Sequence, residues 1–343
     1  MLIMSVAQSQ RAVRLAAVAA IAVIAQPTSG RAQGHPLDAA ERSAVIERVA
    51  SELEKGYVFP EVARTMIQAL RDRQKRGEYD RIDNAVEFGD SLTSHLRAVS
   101  RDKHLRVAAR GAPRASTDAT GGVVPPRRSA DGLEEVRRLD GNIGYLRFSG
   151  FVDVSRVGGR ITSAMTELAT TDALIIDLRS NGGGSPSSVM HLAGYLFPQR
   201  TLIAKIYSRP DETTTEMWTA DVPDAKYLDK QVFVLTDRRT FSAAEAAAYH
   251  LQAFGRAKVV GDTTGGGAHR VTGVDLNDRL AMALPITRPT NVRTGTDWEG
   301  VGVIPDIAVA PERALVAAQL AALRALPQSP ERARVIAELE QAR

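Results

Sequence analysis

The sequence contains no cysteine. Disulfides therefore do not hold the fold, which must rest on its apolar core. Aromatic residues make up only 5% of the 343 positions, and nowhere do they interleave with a basic stripe of the kind that grips nucleic acid. The histidines never fall at His-Glu-x-x-His or another close ligand spacing, so no metal is expected. No Gly-x-x-x-x-Gly-Lys-Ser/Thr loop occurs, nor a Gly-x-Gly-x-x-Gly opening a helix, and no nucleotide or other cofactor is expected. Beyond residue 25 no apolar run is long enough to cross a bilayer, which argues against stable membrane insertion of the mature chain. There is no internal repeat. The sequence leaves oligomeric state open.

What is present is a foldable composition, 44% hydrophobic and 24% charged, enough for one large domain and a smaller one. Arg11 and Arg14 precede Leu15-Ala-Ala-Val-Ala-Ala-Ile-Ala-Val-Ile-Ala25, the pattern of a secretory leader (residues 1–32) cleaved after Ala25 or Ala32. Cleavage after Ala25 removes two arginines and no acid, lowering the formal charge from +4 to +2. A periplasmic or secreted protein is the expectation. From residue 37 to 110, apolar positions such as Val45, Ile46, Val49 and Leu53, then Val62, Met66, Ile67 and Leu70, recur three and four apart. They predict an N-terminal helical bundle. Residues 111–132 are rich in Gly, Pro, Ser and Arg and read as a linker. From 133 to 310 strands and helices alternate: strands at Ile143–Phe148, Ala173–Leu178, Val232–Leu235, Lys258–Gly261 and Arg279–Leu284, with helices between. That order predicts an α/β domain with a mostly parallel sheet. The tail, 311–343, is helical and breaks near Pro327.

Three stretches carry chemistry. In Val232-Phe-Val-Leu-Thr-Asp-Arg-Arg-Thr-Phe-Ser242-Ala-Ala-Glu245, a buried strand runs through a turn into an alanine-rich helix. A serine there can present its hydroxyl beside the free N–H groups of the helix start. The same Ser242-Ala-Ala-Glu245 also fits a capping box. The second stretch, Asp177-Leu-Arg-Ser-Asn-Gly182-Gly183-Gly184, follows a buried strand and fits either a tight turn or a backbone cradle for an anion. The third, Gly261-Asp-Thr-Thr-Gly265-Gly266-Gly267-Ala-His269, also follows a strand. Strand ends on one side of an α/β sheet are where such folds gather their sites.

Four segments resemble the tail-specific (C-terminal-processing) serine protease family in its retinoid-binding-protein-like and tricorn-like branch. They are Leu178-Arg-Ser-Asn-Gly-Gly-Gly184, Thr240-Phe-Ser-Ala-Ala-Glu-Ala246, Val259-Val-Gly-Asp-Thr-Thr-Gly-Gly-Gly-Ala-His269 and Glu299-Gly-Val-Gly-Val-Ile-Pro-Asp-Ile307. The resemblance implies a Clp-protease/crotonase-like α/β catalytic domain with an N-terminal helical bundle. It puts Ser242 at the nucleophile, and the backbone N–H of Ala243 with that of Gly182 or Gly183 at the oxyanion hole. The lysine of the family's serine–lysine dyads would fall at Gly267, so it is absent. By resemblance the base becomes His104, in Asp102-Lys-His104-Leu-Arg, with Glu299 as its support. His269 is the second candidate for the base, and Gly266 and Gly267 would line the site. The peptide-binding PDZ module of lysine-dyad relatives has no room between Ala108 and Val136. The expected function is an exported serine peptidase acting on peptides or proteins without a lysine base. The alternative is a non-catalytic carrier of hydrophobic ligands, of the retinoid or fatty-acid type, on the same fold.

Overall fold

Strand Ala173–Asp177 is buried at all five positions, so it must be covered on both faces, and two layers of helix do this. In the computed structural model, residues 35–110, 129–223 and 226–341 are described. The leader and most of the linker lie outside them. The elements in chain order begin with helices α1 (Ala39–Gly56), α2 (Pro60–Lys75) and α3 (Ala85–Ser100), then strands β1 (Arg106–Ala109), β2 (Leu133–Leu139) and β3 (Ile143–Phe148). Next come α4 (Val154–Leu168), β4 (Ala173–Asp177), α5 (Pro186–Gly194), β5 (Leu202–Ser208), β6 (Thr213–Trp218), β7 (Gln231–Thr236), α6 (Ala243–Ala253) and β8 (Lys258–Gly261). The chain continues through β9 (Arg270–Asp275), β10 (Leu280–Asn291), β11 (Ile307–Ala308), α7 (Ala314–Ala325) and α8 (Pro330–Gln341).

One sheet has the order β11-β8-β7-β4-β3-β2. Its ladders are parallel from β11 to β3, and only β2 runs antiparallel. Along β4, Leu174 and Ile176 pack with α4, α5 and α6 through Ile161, Val189 and Ala244. Ala173 and Ile175, on the other face, meet Ala314, Ala318 and Leu323 of α7. The period-2 alternation of a strand thus sends every second residue into a different core. Because the sheet is parallel, the chain leaves β4, β7 and β8 on the same side, and the three loops singled out above converge there.

The helical region begins cleanly. Asp38 caps α1 and Asn84 caps α3, each accepting an N–H three residues on, and Pro60 opens α2 where its missing N–H costs nothing. These helices do not close a core alone. Leu53, Met66, Phe88 and Leu92 pack against Leu276, Leu280, Met282 and Leu284, which come from the far end of the α/β segment.

One expectation is corrected here. The strand near Arg279–Leu284 does not extend the parallel sheet. It is the first half of the long β10, the spine of a second, antiparallel sheet of order β1-β10-β5-β6 with β9 on the spine's other side. The physical reason is that β6 and β9 are mostly exposed. Their sequences therefore lack the apolar runs that flag a strand.

Sharing of the helical core with β10 predicts one cooperative unit. Leu280→Ala should cost about 2–5 kcal/mol. Urea unfolding followed by far-ultraviolet dichroism and by the fluorescence of Trp218 and Trp298 should give coincident transitions, both shifted. A separate early transition of the helices would refute the shared core.

Candidate functional site

Ser242 occupies an unusual backbone position, φ 54° and ψ −120°. An ordinary helix N-cap sits in the extended region, and a non-glycine residue at positive φ is held there at a cost of about 1–3 kcal/mol. The surroundings show what holds it. Asp237 accepts the N–H groups of Ser180, Arg239 and Thr240 on one oxygen, and Thr240 Oγ1 reaches back to the carbonyl of Leu178. The Phe241 N–H donates to the carbonyl of Asn181 at 3.0 Å. The turn is thus laced to the first glycine loop.

Its other side is fixed by Glu245, whose burial is complete. This carboxylate accepts the Ser242 N–H (2.8 Å), the Thr264 hydroxyl (2.5 Å) and the N–H groups of Gly266 (2.6 Å) and Gly267 (2.9 Å). The capping box expected at Ser242 forms, with Glu245 as its acid. Glu245 is also the clamp between the serine turn and the third stretch. Burial pushes its carboxyl above the ordinary value, and the four donors pull the other way.

Gly183, at φ 97°, lies directly against the serine turn. A Cβ there would stand 2.8 Å from both Ser242 Cβ and Ala243 N, so only glycine lets the two loops touch. The Gly183 N–H donates to the side chain of its neighbour Asn181 at 2.9 Å and is occupied within the chain. The N–H groups of Ala243 and Gly182 have no partner among the described residues. Gly182 is exposed.

His104 lies beside this turn. Its ring packs on Phe241, centroids 4.5 Å apart, and a Cβ on Gly267 would meet His104 Cε1 at 2.7 Å and Phe241 Cζ at 2.2 Å. Its Nδ1 is buried without a partner, and no hydrogen bond joins the ring to Ser242 among the described residues. Burial drives its pKa down to about 4, against the opposing charge of Asp102. Lys103 turns outward, its ammonium on the carbonyl of Gly265.

Glu299 stands elsewhere than expected. It contacts His269, not His104: Oε2 accepts the N–H groups of Ala268 (2.6 Å) and His269 (3.3 Å) and lies 3.5 Å from His269 Nδ1. The reason is local, since Trp298 anchors its loop by donating to the Gly267 carbonyl. His269, 2% exposed, bonds Asp102 through Nδ1 at 2.7 Å. Phe59 packs edge-on against its ring. Asp102, His269 and Glu299 are the one carboxylate–imidazole cluster of ligand-like spacing among the described residues. Their close contact is explained by the hydrogen bond and ion pairing. Sequence reasoning missed Asp102 and Glu245 as site members. Both sat inside quoted motifs, but nothing in a motif says a carboxylate will be buried.

The cluster titrates in a definite direction. Burial raises Glu299 to about 7, partly countered by His269. For His269, burial would lower the pKa, but the hydrogen bond to Asp102 and the charges of Glu299, Asp102 and Asp297 outweigh it and raise it. Both groups then hold protons in the folded state that the unfolded chain has released, Glu299 from its ordinary value up to about 7 and His269 above 6.5. Stability should fall as pH rises through that window. Glu299→Gln should flatten the slope between pH 5 and 7, read from urea midpoints. An unchanged slope would show that Glu299 carries no extra proton.

Comparison with known proteins gives the wider context. Residues 142–309 match peptidase family S41, and residues 39–137 match the N-terminal domain of peptidase S41 in eukaryotic IRBP. Over 172 residues the chain is 30% identical to the chloroplastic C-terminal processing peptidase of Tetradesmus obliquus, covering 50% of this chain and 36% of that protein. It is 28% identical over 167 residues to the carboxyl-terminal-processing protease of a Synechocystis species, covering 48% and 37%. The match thus spans little over a third of these relatives' length. Among solved structures, a peptidase described as putative from Parabacteroides merdae superposes with a TM-score of 0.58 at 20% identity, over 78% of this chain and 90% of that one. With both of its segments matched in order, the chain belongs to peptidase family S41, a family of C-terminal-processing, serine-type peptidases, and carries that family's N-terminal domain.

Proposed function

We propose that this chain is an exported serine peptidase that cleaves peptide bonds through an acyl-enzyme on Ser242. One observation carries the reading: the serine is held at φ 54°, ψ −120°, a strained conformation that a plain helix cap has no need of. Strand-to-helix turns that thrust a nucleophile outward have this character. Ser242 Oγ attacks the peptide carbonyl carbon as its proton passes to His104. The tetrahedral oxyanion is held by the N–H groups of Ala243 and Gly182. The Gly183 N–H is spent on Asn181, which leaves its neighbour for this task. The C–N bond then breaks as His104 returns the proton to the leaving amine. Water, deprotonated by the same imidazole, releases the acid product and restores the serine.

His104 as base is supported by what fills the space at Gly267. A side chain there would collide with His104 and Phe241, so an imidazole from the helical region occupies the ground a dyad lysine would need. Burial keeps that imidazole neutral near pH 7, the state a base requires. Glu299 acts one step removed, through His269. No peptide-binding module stands between β1 and β2 in this reading, so substrates reach Ser242 without a tether. The leader-like segment at Arg11 to Ala25 is the basis for export, and no helix among the described residues is long and apolar enough to cross a membrane. Against the carrier alternative, the apolar cavity beside α5 and α6 holds about 10 Å³, room for roughly one water. The roomier hollow of about 410 Å³ beside the start of β7 is lined by Asp229, Lys230, Gln231, Arg256 and Lys258, a charged lining unlike an acyl-chain pocket.

A fluorophosphonate probe tests the proposal. Wild type should label, Ser242→Ala should not, and Ser187→Ala should label as wild type does. The labelling rate should rise with pH through about 4, the His104 value, and stay level near 6.5. Wild type that never labels, or His104→Ala that labels at the full rate, would remove the nucleophile or the base respectively.

A further inference from the structure

We infer that Asp102 is the positioning residue of this site, its carboxylate fixing the His104 imidazole by holding that residue's backbone on one oxygen and the His269 ring on the other. The inference rests on the reading of His104 as the base. Asp102 is 1% exposed. Helix α3 ends at Arg101 in a left-handed conformation (φ 57°), which turns the chain inward so that Asp102 enters the core. Its Oδ1 accepts the His104 N–H at 2.9 Å. Its Oδ2 accepts from His269 Nδ1 at 2.7 Å and from the Tyr57 hydroxyl at 3.3 Å. One side chain therefore joins the end of α1, the base-bearing turn and the third glycine stretch.

This matters because no hydrogen bond at Nδ1 orients the His104 ring. In the usual serine hydrolase triad a carboxylate grips the imidazole nitrogen directly. Here Phe241 packs on the ring and Gly267, lacking a side chain, leaves it room, so the ring's placement depends on where its backbone is held. That backbone hangs on Asp102, and Asp102 in turn is locked by His269. The charged or titratable groups acting on His104 are Asp102, His269 and Arg97. Those acting on His269 are Asp102, Glu299 and Asp297.

Two variants separate tether from charge. Asp102→Asn keeps an oxygen for the His104 N–H but turns an amide toward His269, removing the ion pair. Asp102→Ala removes both. Imidazole titrations followed by NMR on the intact chain should show His269 falling by about one to three pH units in the Asn variant. His104 should fall too, since Asp102 raises it, carrying the acid limb of fluorophosphonate labelling to lower pH. Labelling by the Asn variant should stay within about tenfold of wild type, whereas the Ala variant should slow by about 100-fold, the scale of an ångström's misplacement of a catalytic group. An unmoved His269 titration in Asp102→Asn, or full-rate labelling by Asp102→Ala, overturns the assignment. If Asp102→Ala does not fold, the Asn titration decides. Absence of labelling in wild type would sink the catalytic reading alone, because the imidazole titrations report on Asp102 without turnover.

Discussion

A buried carboxylate with four donors aimed at it is the constraint on which this structure turns. Glu245 has no access to water, and its cost of burial is met only because the Ser242 turn and the Thr264 to Gly267 loop both give it N–H or O–H groups. Neither loop can shift without stranding the charge. The strained backbone of Ser242 is held in place by two loops that satisfy one acid, and the rest of the site is built outward from that fixed point. The pairing also explains why the third stretch carries three glycines, since N–H groups must approach Glu245 while the opposite side makes room for His104 and Phe241.

The second constraint is architectural. The imidazole beside Phe241 comes from the helical region, about 140 residues upstream. It can be held to tolerance only if that region is rigidly seated. The shared core at Leu280, Met282 and Leu284 seats it apolarly, and Asp102 adds a polar tie at the point of use. A helical bundle with its own closed core could rock against the sheet. This one cannot without opening its interior.

The parallel sheet and the helices were legible because their signals are local. A run such as Ala173-Leu-Ile-Ile is apolar at every position, and the α1 periodicity marks one buried stripe. The second sheet was not, because β6 and β9 are exposed strands stabilised by pairing rather than by side-chain burial. At the site, the glycine loops and Ser242 could be flagged from residue type and order. What the sequence withheld was partnership. Glu299 sits 30 positions from His269 and nearly 200 from His104, and nothing in their spacing says which of the two imidazoles it faces. Asp102 and Glu245 were visible as letters in motifs, but their weight comes from burial, which emerges only when distant segments meet.

The packing around Gly267 also constrains what can replace it. Acquiring a lysine at that position would require evicting the imidazole and the phenyl ring that already fill the space. With His104 as the base proposed above, losing the imidazole first would strip the Ser242 hydroxyl of its activating group. On that reading the lysine and imidazole arrangements exclude one another at this position, and no single substitution converts one into the other.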